Sequence, residues 1–65
     1  MSELKTILLA YIDHIGKLGV SVEDVELEFV PDFKKRELRS ALAGLLREGR
    51  LSLSKNGRIH IGSPS

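Results

Sequence analysis

The 65-residue sequence has no cysteine, tryptophan or glutamine, and only two prolines and two histidines. Without cysteine the chain has no disulfide and no thiolate ligand, so a structural zinc site is not expected. A chain of this size buries only about 60% of the surface that its unfolded form exposes. The sequence therefore predicts one small domain over residues 1–62 and a flexible tail at 63–65. Its stability is expected to be marginal, so the core must be efficiently packed or shared with a partner.

Long apolar runs are also missing. The longest, Ile7 to Ile12, has six residues, whereas a membrane-spanning helix needs about 20. No signal-peptide pattern is present, and Met1 with a short tail indicates a whole small protein. Leu, Ile, Val and Phe make up 22 residues, which is too many for a disordered chain. We expect a soluble, cytoplasmic protein.

Apolar residues in the first third recur at the three-and-four spacing of an amphipathic helix over about residues 3–17. Its inward arc is predicted to comprise Leu4, Ile7, Leu8, Tyr11, Ile12, Ile15 and Leu18. Leu9 falls outside this arc and is predicted to form an exposed apolar contact. Ser21 and Asp24 have the spacing of a capping box, which predicts a second helix over Val22–Phe29.

A third helix is predicted over residues 33–48. Pro31 ends the second helix by forcing Val30 to be extended, Asp32 is placed to cap the third, and Gly49 to terminate it. The apolar stripe of the third helix contains Leu38, Ala41, Leu42, Leu45 and Leu46.

Residues 51–61 alternate with period two on both sides of Asn56-Gly57, which predicts a β-hairpin. A two-residue turn would put the isoleucines on the serine side. A three-residue loop at 55–57, with Gly57 left-handed, instead aligns Leu51 with Ile61 and Leu53 with Ile59 on one buried face. Val20 has room for a strand of only one or two residues.

Three helices followed by a two-stranded hairpin resemble the winged helix-turn-helix superfamily, and the resemblance covers residues 4–61. Residues 36–51 resemble its recognition helix running into the wing, with the pattern Leu-x-x-Leu-x-x-x-Gly-x-Leu. The fold class implied is mainly α with a C-terminal β-hairpin. Small free-standing winged helices of this kind resemble proteins that are common in archaea and archaeal viruses. The scarcity of labile residues in the sequence fits a thermophilic source.

Charge is divided sharply along the chain. Residues 1–32 carry two basic and seven acidic side chains, whereas residues 33–65 carry eight basic and two acidic ones. This asymmetry predicts an anionic partner for the second half. The alternative is that the two halves attract each other within one domain.

With its leucines inward, the third helix turns Arg36, Ser40, Ala43 and Arg47 outward. The resemblance implies double-stranded DNA as the partner, with this helix in the major groove and the hairpin on the flanking backbone. The predicted DNA-binding residues are Lys34, Lys35, Arg36, Arg39, Ser40, Arg47, Lys55, Asn56 and Arg58. The alternative is that these are ordinary solubilising charges.

The second helix is acidic, which disfavours close contact with phosphates. Acids in its first turn also stabilise the helix dipole, and this explains Glu23 and Asp24 without any partner. It does not explain Leu27, although single exposed leucines are common. The residues predicted for protein interaction are Leu9, Glu23, Asp24, Leu27 and Glu28.

No phosphate-binding glycine loop, zinc-binding helix or nucleophile elbow occurs in the sequence. We expect no catalytic residue, cofactor, metal or small-molecule substrate, and neither His14 nor His60 has a partner at ligand spacing. The prediction is a small DNA-binding transcriptional regulator, homodimeric through the surface around Leu9. The alternative is an accessory subunit of a polymerase, transcription or other nucleic-acid complex, docking through its acidic helix.

Overall fold

The structure is a computed structural model that describes residues 3–62, so the tail predicted at 63–65 lies outside the described residues. The elements are α1 (Glu3–Ile15), a 3₁₀ turn (Gly16–Leu18), α2 (Val22–Phe29), α3 (Lys35–Arg47), β1 (Leu51–Leu53) and β2 (Ile59–Ile61). Three helices followed by an antiparallel hairpin confirm the predicted fold class, a helix-turn-helix with a two-stranded wing.

The core is entirely apolar within residues 3–62. Its buried side chains are Leu8, Ile12, Val20, Val25, Leu38, Ala41, Leu42, Leu45, Leu51 and Ile59. All three helices and both strands contribute, and α3 supplies the largest share. No charged or polar side chain of these residues is fully buried, although Glu26 has only 13% of its side chain exposed.

Two expectations about the first helix are wrong. Leu18 was expected to face inward but is 78% exposed. The α-helix ends at Ile15, and the 3₁₀ turn that follows advances by about 120° per residue instead of 100°, so the wheel of α1 does not extend to Leu18. Leu9 was expected to be exposed but packs partly buried against the core, since α1 packs against β2 and Leu9 lines one hollow with Ile61 of that strand.

The second helix has the predicted bounds, and its capping box is present. The Asp24 amide donates to Ser21 Oγ at 3.0 Å, and the Ser21 amide donates to the Asp24 carboxylate at 3.1 Å. Val30 is extended, as predicted from the proline that follows it, and the Val30–Pro31 peptide bond is cis.

The third helix begins at Lys35, with Lys34 rather than Asp32 at its N-cap. The prediction of Asp32 as the cap is wrong because residues 31–33 form a turn attached to α2. In that turn the Phe33 amide donates to the Phe29 carbonyl at 3.0 Å, and the two rings pack 6.3 Å apart. The helix ends before Gly49, the predicted terminator, which has a positive φ of 77°.

The hairpin has the predicted register, with Leu51 opposite Ile61 and Leu53 opposite Ile59. Its face is only half buried, however: Leu51 and Ile59 are buried, whereas Leu53 is 59% and Ile61 41% exposed. Twist between two short strands brings one diagonal pair over the core and moves the other beyond its edges.

Val20 extends this small sheet by a single residue. It exchanges backbone hydrogen bonds of 3.0 and 2.7 Å with Ile59, as its predicted short strand requires. The bridge ties the wing to the segment that precedes α2. Within residues 3–62, no helix has the length and apolarity needed to cross a bilayer.

Candidate nucleic-acid interface

The exposed side of α3 forms a continuous row of side chains, here called the α3 ridge: Arg36, Ser40, Ala43 and Arg47. All four are exposed. Their spacing of four, three and four residues keeps them on one face, and burial of Leu38 and Leu45 points that face away from the core. Two arginines therefore flank two small residues on a surface open to a partner.

Five of the seven cations predicted to bind DNA form no ion pair within residues 3–62. These are Lys34, Lys35, Arg36, Arg47 and Lys55. All five side chains are exposed. These predicted DNA contacts are thus not neutralised by carboxylates of the described chain.

A shallow hollow of about 510 Å³ runs along one flank of the ridge between α1 and α3. The ridge residues Arg36, Ser40 and Arg47 line it, together with the acidic Glu37. Lys5 of α1 also lines it, and was not among the predicted site residues.

Lys5 reaches this position because α3 has a glycine there. A Cβ atom at Gly44 would lie 3.0 Å from Lys5 Nζ, and the ammonium forms a 2.5 Å ion pair with Glu48. The Lys5 hydrogen bond holds the pKa of the Glu48 carboxyl below its usual value. A glycine inside the predicted helix was the one sequence signal for this close approach.

Two of the predicted DNA-binding residues are held by acids of α2. Arg39 Nε lies 2.9 Å from Glu26 Oε2, and an Arg58 terminal nitrogen lies 3.1 Å from Asp24 Oδ2. The attraction between acidic and basic halves, predicted as an alternative to an anionic partner, is present at these two pairs. It neutralises two of the four acids of α2.

The wing tip is exposed and locally ordered. The hydroxyl of Ser54 hydrogen-bonds to the Asn56 side chain and accepts from the Arg58 amide at 3.1 Å. Gly57 has a φ of 80°, the left-handed conformation predicted for the loop. Lys55 and Asn56 therefore project from a loop of defined geometry.

The cationic surfaces of α3 and the wing are not continuous. Between them lies an apolar hollow of about 420 Å³, lined by Val22, Arg39, Leu42, Ala43, Leu46, Leu53 and Ile59. Exposed Leu53 belongs to this hollow. The structure thus separates the predicted DNA-binding residues into an α3 group and a wing-tip group.

The residues predicted for protein interaction are only partly brought together. Leu27 is 83% exposed, and Glu23 and Glu28 are exposed without an ion pair within residues 3–62. Leu9 lies elsewhere, half-buried beside a hollow that Ala10, Asp13, Arg50 and Ile61 also line. Leu27 and Leu9 therefore belong to separate surfaces.

The two histidines differ in environment. His14 is exposed, whereas His60, which the hairpin register places on the face opposite Ile59 and Ile61, is half-buried with its ring against Gly19, where a Cβ atom would lie 2.6 Å from its Cε1. Residues 3–62 contain no group of three or more His, Cys, Asp or Glu side chains suited to a metal ion.

No protein-family model matches the chain, and no curated protein or solved structure gives a significant match. A functional assignment consequently depends on the geometry and charge of the chain itself.

Proposed function

We propose that this protein is a winged-helix protein that binds double-stranded DNA and acts as a small transcriptional regulator in the cytoplasm. In this proposal α3 enters the major groove and the wing tip contacts the adjacent backbone. The observation that supports it is the α3 ridge, whose two arginines are exposed and form no ion pair within residues 3–62.

The dimensions and chemistry of the ridge suit a duplex. The major groove is about 12 Å wide and admits an α-helix. Ser40 and Ala43 at the centre of the ridge are small enough for close approach, and Arg36 and Ser40 reach base edges. Lys34, Lys35 and Arg47 contact phosphates, as Lys55 does from the wing.

The ion pairs of α2 also favour this interaction. Carboxylates near a phosphate backbone repel it, but Arg39 and Arg58 neutralise Glu26 and Asp24 respectively. In this proposal, Arg39 and Arg58 lower the repulsion between the α2 carboxylates and the DNA phosphates, and other cations supply the main phosphate contacts. A homodimer would present two α3 helices to a two-fold symmetric site.

Fluorescence anisotropy of labelled duplex DNA at low and moderate salt tests the proposal. The double variant Arg36→Glu/Arg47→Glu is expected to abolish binding at concentrations at which wild type is saturated. The single variant Arg47→Glu is expected to weaken binding, and Lys17→Glu is its matched control, because Lys17 is exposed on the 3₁₀ turn, outside the α3 ridge. Absence of wild-type binding at low salt, or equal binding by the double variant, would refute the proposal.

A second candidate function is that of a protein-interaction subunit in a polymerase, transcription or other nucleic-acid complex. The observation that favours it is Leu27, which is 83% exposed on a helix with four acidic and no basic residues. A subunit of this kind would bind its complex through α2 and contact DNA only weakly.

A further inference from the structure

Two of the most exposed large apolar side chains of the described chain border the same cavity. Leu18 is 78% and Leu27 83% exposed, and both line a groove of about 360 Å³ between the 3₁₀ turn and α2. Tyr11 and Ile15 form its apolar floor. We call this surface the Leu18–Leu27 groove.

The groove shares no lining residue with the hollow beside the α3 ridge. Leu27 also borders a second hollow of about 350 Å³, lined by Glu23, Glu26, Val30 and Lys35. The leucine therefore stands between two depressions, and a bound chain segment could contact both sides of it. Exposed apolar side chains gathered at concave surfaces are typical of protein interaction sites.

Acidic side chains outnumber basic ones around the groove: the groove and the neighbouring hollow are lined by four acids and by two bases, Arg58 and Lys35. Helix α2 contains four acids and no base, and of these only Asp24 and Glu26 have arginine partners. Glu28, on the groove itself, and Glu23, on the neighbouring hollow, form no ion pair within residues 3–62. Burial together with Glu28 and Asp24 raises the pKa of the Tyr11 hydroxyl, consistent with a negative potential at the floor.

We propose that the Leu18–Leu27 groove binds a segment of a protein partner in which an apolar side chain is followed or preceded by lysine or arginine. The apolar side chain fills the space between the two leucines, and the cation pairs with Glu28 or Glu23. This site deepens the second candidate function and rests on it. It adds Leu18, which the sequence pattern had placed in the core, and specifies the chemistry of the partner.

The probe is a random peptide library displayed on phage and selected against the immobilised full-length chain. Enriched peptides are expected to carry an apolar residue next to Lys or Arg. A synthetic peptide of the enriched sequence should shift the backbone amide NMR signals of Leu18, Leu27 and Glu28. Acidic enriched sequences, no enrichment, or shifts confined to α3 would overturn the proposal.

Matched variants then distinguish binding in the groove from nonspecific hydrophobic binding. Leu27→Gln is expected to lower the affinity for the selected peptide about tenfold or more, because a leucine contact that binding would bury is lost. Leu18→Gln is expected to lower this affinity similarly. Leu53→Gln removes a leucine that is 59% exposed on the wing and should leave the affinity unchanged. Equal weakening by Leu53→Gln contradicts the proposal.

Two further measurements identify other occupants. In sedimentation equilibrium, wild type and Leu27→Gln are expected to have the same oligomeric state. A wild-type dimer that Leu27→Gln dissociates would mean that the groove holds a second copy, and would overturn the proposal. Leu18→Gln/Leu27→Gln is expected to bind duplex DNA as wild type does. If wild type binds DNA but no peptide, the groove proposal alone fails. If wild type binds the peptide but no DNA, the proposed DNA-binding function alone fails.

Discussion

Arg39 Nε lies 2.9 Å from Glu26 Oε2, and this ion pair joins α3 to α2 across 13 positions of the sequence. Glu26 is mostly buried, with 13% of its side chain exposed, whereas the Arg39 side chain is 66% exposed. The arginine thus lies at the edge of the candidate interface while its charge is already matched by the chain.

Arg39→Ala is therefore expected to weaken duplex binding less than Arg47→Ala does. Arg47 has no carboxylate partner within residues 3–62, so its loss should reduce the slope of log affinity against log salt by about 0.9. Arg39→Ala should change the slope by less than half of that. Anisotropy titrations over a salt series measure both, and equal changes would contradict the assignment.

The wild-type salt dependence is itself a prediction. If the four unpaired cations assigned to phosphates, Lys34, Lys35, Arg47 and Lys55, each contact one, log affinity should fall against log salt with a slope of about −3.6. Lys17→Ala should leave this slope unchanged. A slope near zero would show that binding, if present, does not use these cations.

The capping box of α2 predicts a measurable loss of stability on removal of one hydroxyl. Ser21→Ala should lower the free energy of unfolding by about 1 kcal/mol, because the Asp24 amide loses its acceptor. Ser40→Ala is the matched control, since Ser40 lies inside α3 on the exposed ridge, where alanine is the better helix former. Urea denaturation measures both changes, and equal losses would refute a capping role.

Asp24 also predicts a pH dependence with a definite sign. Hydrogen bonds from the Ser21 amide and hydroxyl, and then Arg58, hold the pKa of the Asp24 carboxyl below its usual value of about 3.9. A carboxyl whose folded pKa is lowered stabilises the fold above the unfolded pKa, and that contribution is lost as pH falls through the folded value. The stability gap between wild type and Asp24→Asn should accordingly shrink as pH falls from about 6 to about 2. A gap that widens on acidification would contradict this.

Two glycine substitutions should have opposite effects. Gly19 has a φ of 71° and would place a Cβ atom 2.6 Å from the His60 ring, so Gly19→Ala should cost more than about 1 kcal/mol. Gly44 is helical, and its Cβ would meet the flexible end of Lys5 at 3.0 Å and lie 4.0 Å from Glu48 Oε2. Gly44→Ala should gain up to about 1 kcal/mol from helix propensity. Thermal unfolding of the two variants checks the pair.

Local signals in the sequence predicted much of the fold. The Ser21–Asp24 spacing defined the start of α2, and the loop glycine defined the hairpin register, because both depend on neighbouring residues alone. Leu18 could not be placed in this way, since its exposure depends on where α1 changes to a 3₁₀ turn. The exposure of Leu53 likewise depends on strand twist, which residue alternation does not encode.

The candidate site could be predicted only in part. The α3 ridge follows from helical periodicity, so Arg36 and Arg47 could be placed outward from the sequence. The pairing of Arg39 with Glu26 and of Arg58 with Asp24 could not, because each joins residues far apart in the chain through long, flexible side chains. Lys5 was missed for the same reason.

If both proposed surfaces bind their ligands, Arg58 is expected to couple them. Its guanidinium holds Asp24 at the rim of the Leu18–Leu27 groove, while its backbone lies at the base of the wing loop. A phosphate that captured Arg58 would uncover the Asp24 charge and make the groove more attractive to a cationic ligand. Thermodynamic reciprocity then requires the cationic ligand to strengthen DNA binding by the same factor. One side chain shared by both sites would therefore couple DNA binding to ligand binding in the groove.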